Sequence, residues 1–233
     1  MRRVHTSIPG LDRLLEGGFP DGSAVLVKGP AGTGKSLLGL QFLYGGVTEA
    51  NAPGMLIQAG GFGTTLMWYE EMLGWDFAKL QEKGKLVIYS FKPKDYEKFN
   101  PAKVQGEVLG KLKNIIVPMG IRRVVIDAIT PLGETLKEMS DYRRSLYETI
   151  EFLKENNLTS IIISEDGATQ EYKRRMHVEE RLCDGVISLR QVEEQNGEYR
   201  KQLIISKMLA TNFPIAWYPV AVSNRGFSVR PFL

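Results

Sequence analysis

A glycine-rich stretch between an apolar strand pattern and a helical pattern constrains the fold of this chain more than any other feature. It occupies residues 29–36 and reads Gly-Pro-Ala-Gly-Thr-Gly-Lys-Ser, the spacing G-x-x-x-x-G-K-S. An apolar run at residues 24–27 precedes it, and an amphipathic run at residues 37–43 follows it. Glycines allow turns that a Cβ forbids, and such turns bring several backbone N–H groups onto one anion.

Two side chains of this stretch suit a nucleoside triphosphate. Lys35 supplies a point charge for the terminal phosphates, and the Ser36 hydroxyl is a ligand for Mg²⁺. The helix that begins near Lys35 directs its positive dipole end at the same anion. A plain glycine turn is the alternative, but the motif and its strand–helix context occur together here. The predicted nucleotide-binding residues are Gly29, Pro30, Ala31, Gly32, Thr33, Gly34, Lys35, Ser36 and Leu37.

Composition limits the class of protein. With 233 residues, of which 43% are hydrophobic and 24% charged, we predict a single domain over residues 1–233 with a large core. The formal net charge of +3 is too weak to indicate nucleic-acid binding by itself. Cys183 is the one cysteine, which excludes an intramolecular disulfide and favours the cytoplasm. No apolar segment follows Arg2 and Arg3 and no long apolar run occurs, so we expect neither a signal peptide nor a membrane span.

Apolar strand patterns alternate with helical patterns along most of the chain. We predict strands at residues 24–27, 55–59, 85–90, 122–127 and 160–164, and helices at 35–48, 64–73, 102–117 and 141–155, the last capped by Asp141. Residues 166–182 are expected to form a long connection. From Gly185 onward only strands are predicted, with hairpin signals at residues 196–197 and 224–226. The predicted fold class is α/β: a mainly parallel central sheet with helices on both faces and a C-terminal antiparallel β extension.

Short motifs in a fixed order carry a family resemblance. They are residues 6–12 (Thr-Ser-Ile-Pro-Gly-Leu-Asp) with 17–18 (Gly-Gly), the glycine-rich stretch, 74–76 (Gly-Trp-Asp) with 85–86 (Lys-Leu), 124–127 (Val-Val-Ile-Asp), 177–180 (His-Val-Glu-Glu) and 184–187 (Asp-Gly-Val-Ile). In this combination the chain resembles the KaiC-like branch of the RecA superfamily. The resemblance implies a RecA-like P-loop ATPase core that binds ATP and Mg²⁺ at a subunit interface, usually in a hexameric ring. It also implies that Asp127 is the Walker B carboxylate, which holds Mg²⁺ through water.

The chain departs from the family's pattern after the second predicted strand. The family has a pair of glutamates there, one of which orients the attacking water, whereas this chain has Gly60 and Gly61. Glu70 and Glu71 lie further on in a predicted helix and are expected to face elsewhere. Loss of such a group typically lowers the rate by ~10²–10⁴. Glu165, after the fifth strand, is the candidate catalytic residue for this role; the alternative is a solvated acid at a strand end.

A second departure lies late in the chain. The family has a lysine-hydrophobe-arginine run whose basic residues reach the phosphates of the neighbouring subunit, and here the run is Lys207-Met208-Leu209. The resemblance therefore implies a nucleotide contact by Lys207, while Leu209 replaces the arginine. An arginine finger can contribute ~10³–10⁵ to the rate. Leu209 also removes a charge-assisted link between subunits, so rings, dimers and monomers are all open.

Both departures spare the groups that bind the ground state and remove groups that act at the transition state. We therefore expect an ATP-binding switch or scaffold with little or no hydrolysis. One alternative is a slow ATPase or autokinase of the KaiC type. The other is a DNA-repair or recombination accessory that binds single-stranded DNA through residues 173–175 (Lys-Arg-Arg). We favour a solvated basic loop for that run, because acidic residues flank it.

Large apolar side chains cluster in and just beyond the helix predicted at residues 64–73. They are Met67, Trp68, Tyr69, Met72 and Trp75. We expect them in the core. The alternative is a protein-interaction face, since aromatic residues and methionine are enriched in interface cores.

Overall fold

The computed structural model describes residues 1–59, 63–91, 101–130, 136, 138–166 and 170–230. Its strands are β1 (Arg3–Val4), β2 (Phe19–Pro20), β3 (Ala24–Gly29), β4 (Gly54–Ala59), β5 (Leu86–Phe91), β6 (Arg123–Asp127), β7 (Thr159–Glu165), β8 (Gly185–Glu193), β9 (Tyr199–Met208), β10 (Tyr218–Ser223) and β11 (Gly226–Val229). Its helices are α1 (Leu11–Leu14), α2 (Lys35–Ala50), α3 (Gly63–Leu73), α4 (Phe77–Glu82), α5 (Pro101–Met119), α6 (Met139–Glu155) and α7 (Gln170–Leu182). None of the helices in these described ranges is both long and apolar enough to cross a membrane.

Strands β3 to β11 form one sheet in the order β11-β10-β9-β8-β3-β7-β6-β4-β5. Its larger part, from β8 to β5, is parallel. Strands β8 to β11 are joined antiparallel. This confirms the predicted α/β class with a mainly parallel sheet and a C-terminal antiparallel extension. Because the carboxyl ends of parallel strands meet at one edge, the segments that follow β3, β4, β6 and β7 start at the same edge.

Alternate residues of β3 enter cores on opposite faces of the sheet. Val25 and Val27 belong to a buried cluster that includes Leu38 of α2. Leu26, between them, belongs to a different cluster that includes Leu146 of α6. Since successive side chains of a strand point to opposite faces, helices cover both sides of the sheet, as the fully apolar strands predicted.

Two helices differ from the sequence predictions. Helix α6 begins at Met139 with Glu138 at its N-cap, so Asp141 lies in the first turn and is not the cap. The predicted long connection at 166–182 is wrong for its larger part, because Gln170–Leu182 form helix α7. Most residues of α7 are charged or polar, which hides the helical period of its few apolar side chains.

Helix α4 and the two-stranded sheet β1–β2 add to the predicted elements. Asp76 caps α4, since its Oδ1 accepts a hydrogen bond from the amide of Lys79 at 2.8 Å. An aspartate before a short apolar run is an N-cap signal that the sequence did offer. Strands β1 and β2 have two residues each, which is too short for a period of two to be visible.

Candidate nucleotide-binding site

The glycine-rich stretch connects the end of β3 to the start of α2, as predicted. Gly29 ends the strand and Lys35 begins the helix. A Cβ on Gly29 would lie 2.3 Å from the carbonyl oxygen of Leu189, so only glycine fits there beside β8. Gly34, the N-cap of α2, has a φ of 103°, in the left-handed region that favours glycine. The loop therefore ends at a helix N-terminus, whose first N–H groups have no partner within the helix and suit an anion.

Lys35 lies inside this loop. Its side chain is almost fully buried, and its Nζ donates to the carbonyl oxygens of Gly29 and Pro30, both at 2.8 Å. Burial lowers the pKa of Lys35 below its ordinary value, whereas the negative charges of Glu165 and Asp127 raise it. A cation held at a helix N-terminus is the arrangement that binds phosphate in P-loops.

The two predicted Mg²⁺ ligands lie together. Ser36 is the second residue of α2 and Asp127 is the last residue of β6. Both residues line the same cleft. Burial raises the pKa of Asp127 above its ordinary value, while the polar Ser36 side chain and the charge of Lys35 act in the opposite direction. Mg²⁺ binds oxygen ligands such as carboxylates, so the donor set fits the ion.

These groups open into one cleft of about 240 Å³. The predicted ligands that line it are Ala31, Gly32, Gly34, Lys35, Ser36 and Leu37. The other three support the loop from behind. The carbonyls of Gly29 and Pro30 hold Lys35, and Thr33 Oγ1 donates to the Pro30 oxygen at 2.8 Å. The structure thus brings the whole predicted loop together around one cavity.

Glu165, the candidate for orienting water, lines the same cleft. It is the last residue of β7 and lies opposite Gly29 in the parallel pair of β3 with β7. Its side chain is exposed. Its negative charge opposes the larger effect of burial on the pKa of Lys35 and adds to the effect of burial on the pKa of Asp127. The fold therefore places this carboxylate beside both groups, and its role toward water stays a prediction.

Several cleft residues are absent from the sequence predictions. They are Tyr69, Met72, Ala128, Ile163, Lys201 and Val222. The first two belong to α3, the helix that follows β4. Gln58, near the end of β4, lies opposite Asp127, so the rule that ligands bind beyond the carboxyl ends of parallel strands pointed to this helix. The last two belong to the antiparallel strands β9 and β10, and no local motif marks them.

Gly60 and Gly61, at the positions of the family's glutamates, lie outside the described residues. Glu70 of α3 is engaged away from the cleft. Its Oε1 accepts hydrogen bonds from the amides of Phe77 at 2.9 Å and Ala78 at 3.3 Å, at the start of α4. This agrees with the expectation that Glu70 faces elsewhere.

Lys207 lies toward the opposite end of the sheet from the glycine-rich loop. It faces Val186 in the β8–β9 pair, and Val186 lies opposite Leu26 of β3, three residues before the strand ends at Gly29. Its Nζ donates to backbone carbonyls at the end of α7, namely those of Glu180 at 3.1 Å, Arg181 at 3.4 Å and Cys183 at 2.5 Å. Lys207 is not among the residues that line the cleft of its own chain. A contact with the nucleotide of a neighbouring subunit stays a prediction.

The run at residues 173–175 does not form the expected basic loop. It lies on α7, where Lys173 and Arg174 are exposed but Arg175 is 7% exposed. The Arg175 guanidinium lies 5.9 Å from the ring centroid of Tyr142. Successive helical residues point about 100° apart, so one residue of a run of three can turn inward. Two of the three charges are left on the surface.

The core placement expected for the large apolar residues of α3 is wrong for three of them. Met67, Trp68 and Met72 are 63%, 65% and 42% exposed. Tyr69 and Trp75 do pack against the main buried cluster. The helix therefore has a packed face and an exposed apolar face.

Comparisons with known proteins agree with the fold and the motif order. The family described as ATPase: KaiC matches residues 4–232. UPF0273 protein MJ1359 of Methanocaldococcus jannaschii is 31% identical over 248 residues, covering 99% of this chain and 97% of that protein. The circadian clock oscillator protein KaiC of Synechococcus elongatus is 31% identical over 233 residues, covering 98% of this chain and 44% of the clock protein. The chain thus spans less than half of the clock protein.

A solved structure shows the same architecture. The crystal structure of KaiC-like protein PH0186 from Pyrococcus horikoshii matches with a TM-score of 0.84 and 31% identity, and the match covers 99% of both chains. Family match, relatives and structural neighbour extend over nearly the whole chain and include the glycine-rich loop. The chain therefore belongs to the KaiC ATPase family of nucleotide-binding proteins, in the RecA superfamily.

Proposed function

We propose that this chain binds Mg²⁺ and ATP in the cleft and acts as a nucleotide-dependent switch or scaffold, with little or no hydrolysis. One observation carries the proposal. Lys35, Ser36 and Asp127 lie together at the cleft, while Gly60 and Gly61 stand where the family has glutamates. The groups that contact ATP before hydrolysis, namely the loop amides, the lysine and the metal ligands, support affinity for the nucleotide. Turnover depends on groups that act only at the transition state.

The Mg²⁺ ion would be held by Ser36 directly and by Asp127 through water. When bound, it neutralises charge that develops between the β- and γ-phosphates. The chain's own residues supply the rest of the binding. The amides of the loop and the Lys35 ammonium contact phosphate oxygens, and the walls of the cleft exclude part of the solvent.

We propose further that residues 1–233 act as a single domain in a cytoplasmic homo-oligomer, with the family's hexameric ring as the first candidate. The position of Lys207 supports an oligomer. Its Nζ bonds to the end of α7 and does not face the cleft of its own chain. A phosphate contact by this residue therefore needs a second copy.

A slow ATPase or autokinase is the second candidate, and the position of Glu165 favours it. This carboxylate lines the cleft beside Lys35 and Asp127. The DNA-binding alternative has weaker support, because only Lys173 and Arg174 of its basic run are exposed. A weak, salt-dependent affinity for single-stranded DNA that is lost in a Lys173→Ala/Arg174→Ala variant would restore that alternative.

Binding and turnover are tested separately. Calorimetric titration with ATP and Mg²⁺ should show binding that falls about tenfold or more in Lys35→Ala, because bonds to charged groups are strong. Lys79→Ala, which changes an exposed lysine of α4, is the matched control and should bind normally. Phosphate release should stay close to the level of a blank without protein. Turnover at the rate of an ordinary KaiC-type ATPase, abolished by Lys35→Ala, would refute the switch and support the enzyme.

A further inference from the structure

Tyr69 is a cleft residue for which the proposed function has no role yet. It lies on α3 and lines the cleft with Lys35, Ser36 and Asp127. Tyr69 is half-buried. No hydrogen bond to its hydroxyl is found among the described residues. A hydroxyl that lines a ligand cleft and has no hydrogen-bond partner among the described residues can bind the ligand or water.

The ring of Tyr69 is held in place by packing. It contacts the main buried cluster together with Leu66 and Leu73, which are three residues before it and four after it on α3. Residues at this spacing share one face of a helix. Tyrosine commonly buries its ring and leaves its hydroxyl at a polar boundary. Tyr69 therefore both packs against the core and lines the cleft.

The environment fixes the chemistry of this hydroxyl. Burial raises the pKa of Tyr69 above its ordinary value, and the negative charge of Asp127 raises it further. A tyrosine hydroxyl with an ordinary pKa is already neutral at physiological pH, and it can donate one hydrogen bond. Tyr69 lines the same cleft as Ser36 and Asp127, the two predicted metal ligands.

We propose that the Tyr69 hydroxyl donates a hydrogen bond to the terminal phosphate of a bound nucleoside triphosphate, so that α3 distinguishes a triphosphate from a diphosphate. This rests on the proposed function and adds which end of the nucleotide is recognised and by which element. A diphosphate lacks the acceptor, so the bond forms with ATP and not with ADP. Hydrogen bonds to charged oxygens are about twice as strong as neutral ones, which makes a single phenol sufficient for discrimination.

The contacts of α3 indicate where a structural difference between the ATP and ADP complexes would be detected. Just beyond its C-terminal end, Trp75 stacks on Tyr44 of α2 with ring centroids 4.8 Å apart and meets Phe77 edge-on at 5.8 Å. This end of α3 is thus fixed to the helix that begins with Lys35. Trp68, the neighbour of Tyr69, is 65% exposed. Its indole is a built-in reporter of any change in α3.

The test compares ATP with ADP, each with Mg²⁺, by calorimetry. In Tyr69→Phe, the affinity for ATP should fall about tenfold, whereas the affinity for ADP should stay within about twofold. Tyr147→Phe is the matched control, because Tyr147 is an exposed tyrosine of α6 that bonds to Glu151 at 2.9 Å. It should change neither affinity. If Tyr69 had only a structural role, Tyr69→Phe would lower the affinities for ATP and ADP by the same factor.

Tryptophan fluorescence gives a second measurement. The emission should differ between the ATP and ADP complexes, and the difference should vanish in Trp68→Phe and in Tyr69→Phe. Two results would overturn the inference. One is an unchanged ratio of the ATP and ADP affinities in Tyr69→Phe. The other is an emission difference between the two complexes that persists in Tyr69→Phe. If the unaltered chain bound neither nucleotide, the proposed function itself would be refuted, which is a distinguishable result.

Discussion

Ser36, in the first turn of α2, and Asp127, the last residue of β6, line the same cleft. The two residues are 91 positions apart in the sequence, so only the parallel sheet brings them together. Both carry oxygen ligands of the kind that Mg²⁺ uses.

We expect Asp127→Asn to remove the Mg²⁺ dependence of ATP binding. An amide is neutral and attracts a hydrated divalent cation less than a carboxylate does, so the affinity measured with Mg²⁺ should fall about tenfold. The affinity measured with a chelator should change little. Calorimetry under both conditions checks this, with Asp141→Asn on α6 as the control, an acid that forms a surface ion pair with Arg144. An equal loss with and without the ion would contradict the assignment.

Restoring the family's carboxylates should create turnover. In Gly60→Glu/Gly61→Glu, phosphate release with Mg²⁺ and ATP should rise at least about tenfold, since a water-orienting group contributes ~10²–10⁴. Gly60→Gln/Gly61→Gln is the matched control, because it adds similar volume without the charge. Equal rates in the two double variants would show that the missing carboxylates do not limit hydrolysis.

Glu165→Gln should leave any residual phosphate release within about twofold of the unaltered chain. The Glu165 side chain is exposed at the end of β7, and a solvated acid is a weak director of water. A steady-state phosphate assay with excess ATP measures this. A fall of about tenfold or more would instead assign the water-orienting role to Glu165 and favour the slow ATPase.

The buried Glu179 predicts a pH dependence of stability. It is 2% exposed and accepts a hydrogen bond from the Tyr142 hydroxyl. Burial raises its pKa above the ordinary value of 4.5, and the bond from Tyr142 acts in the opposite direction. Because the folded state holds this proton more tightly than the unfolded state, the stabilisation is complete below about pH 4.5 and is lost as the pH rises through the raised value.

Glu179→Gln should therefore become more stable relative to the unaltered chain as the pH rises from about 4.5 to 7. Denaturant unfolding of both chains at several pH values gives the difference in the free energy of unfolding. Taking the difference cancels acid effects that the two chains share. A difference that moves in the other direction would show that Glu179 is stabilised as a carboxylate by its neighbours.

Much of the fold and the centre of the site were predictable because their signals are local. The loop at residues 29–36 carries its own backbone requirements, and the apolar strands and periodic helices on either side of it set the parallel sheet. Asp127 ends a strand of this sheet, so its distance to Ser36 follows from topology. The position of this carboxylate at the edge of the sheet can be predicted without knowing how the side chains pack.

The remaining site residues depend on long-range placement. Lys201 and Val222 enter the cleft from antiparallel strands whose register against β8 no short motif records. The spacing of Leu66, Tyr69 and Leu73 predicts one packed face of α3, but nothing local shows that Tyr69 also borders the cleft. The sequence does not distinguish Arg175 from its exposed neighbours, because the many charged residues of α7 hide its helical period.

The orientation of Lys207 has a consequence for assembly. Its side chain and the glycine-rich loop lie toward opposite ends of the same sheet. A contact between Lys207 of one copy and the loop of another would therefore join two different surfaces of the molecule. Such a contact is heterologous, and repeated copies of it can satisfy every site only by closing into a ring or by growing without limit. A mixed assembly of loop-defective and lysine-defective chains would then contain some intact junctions, although each type of chain alone would contain none.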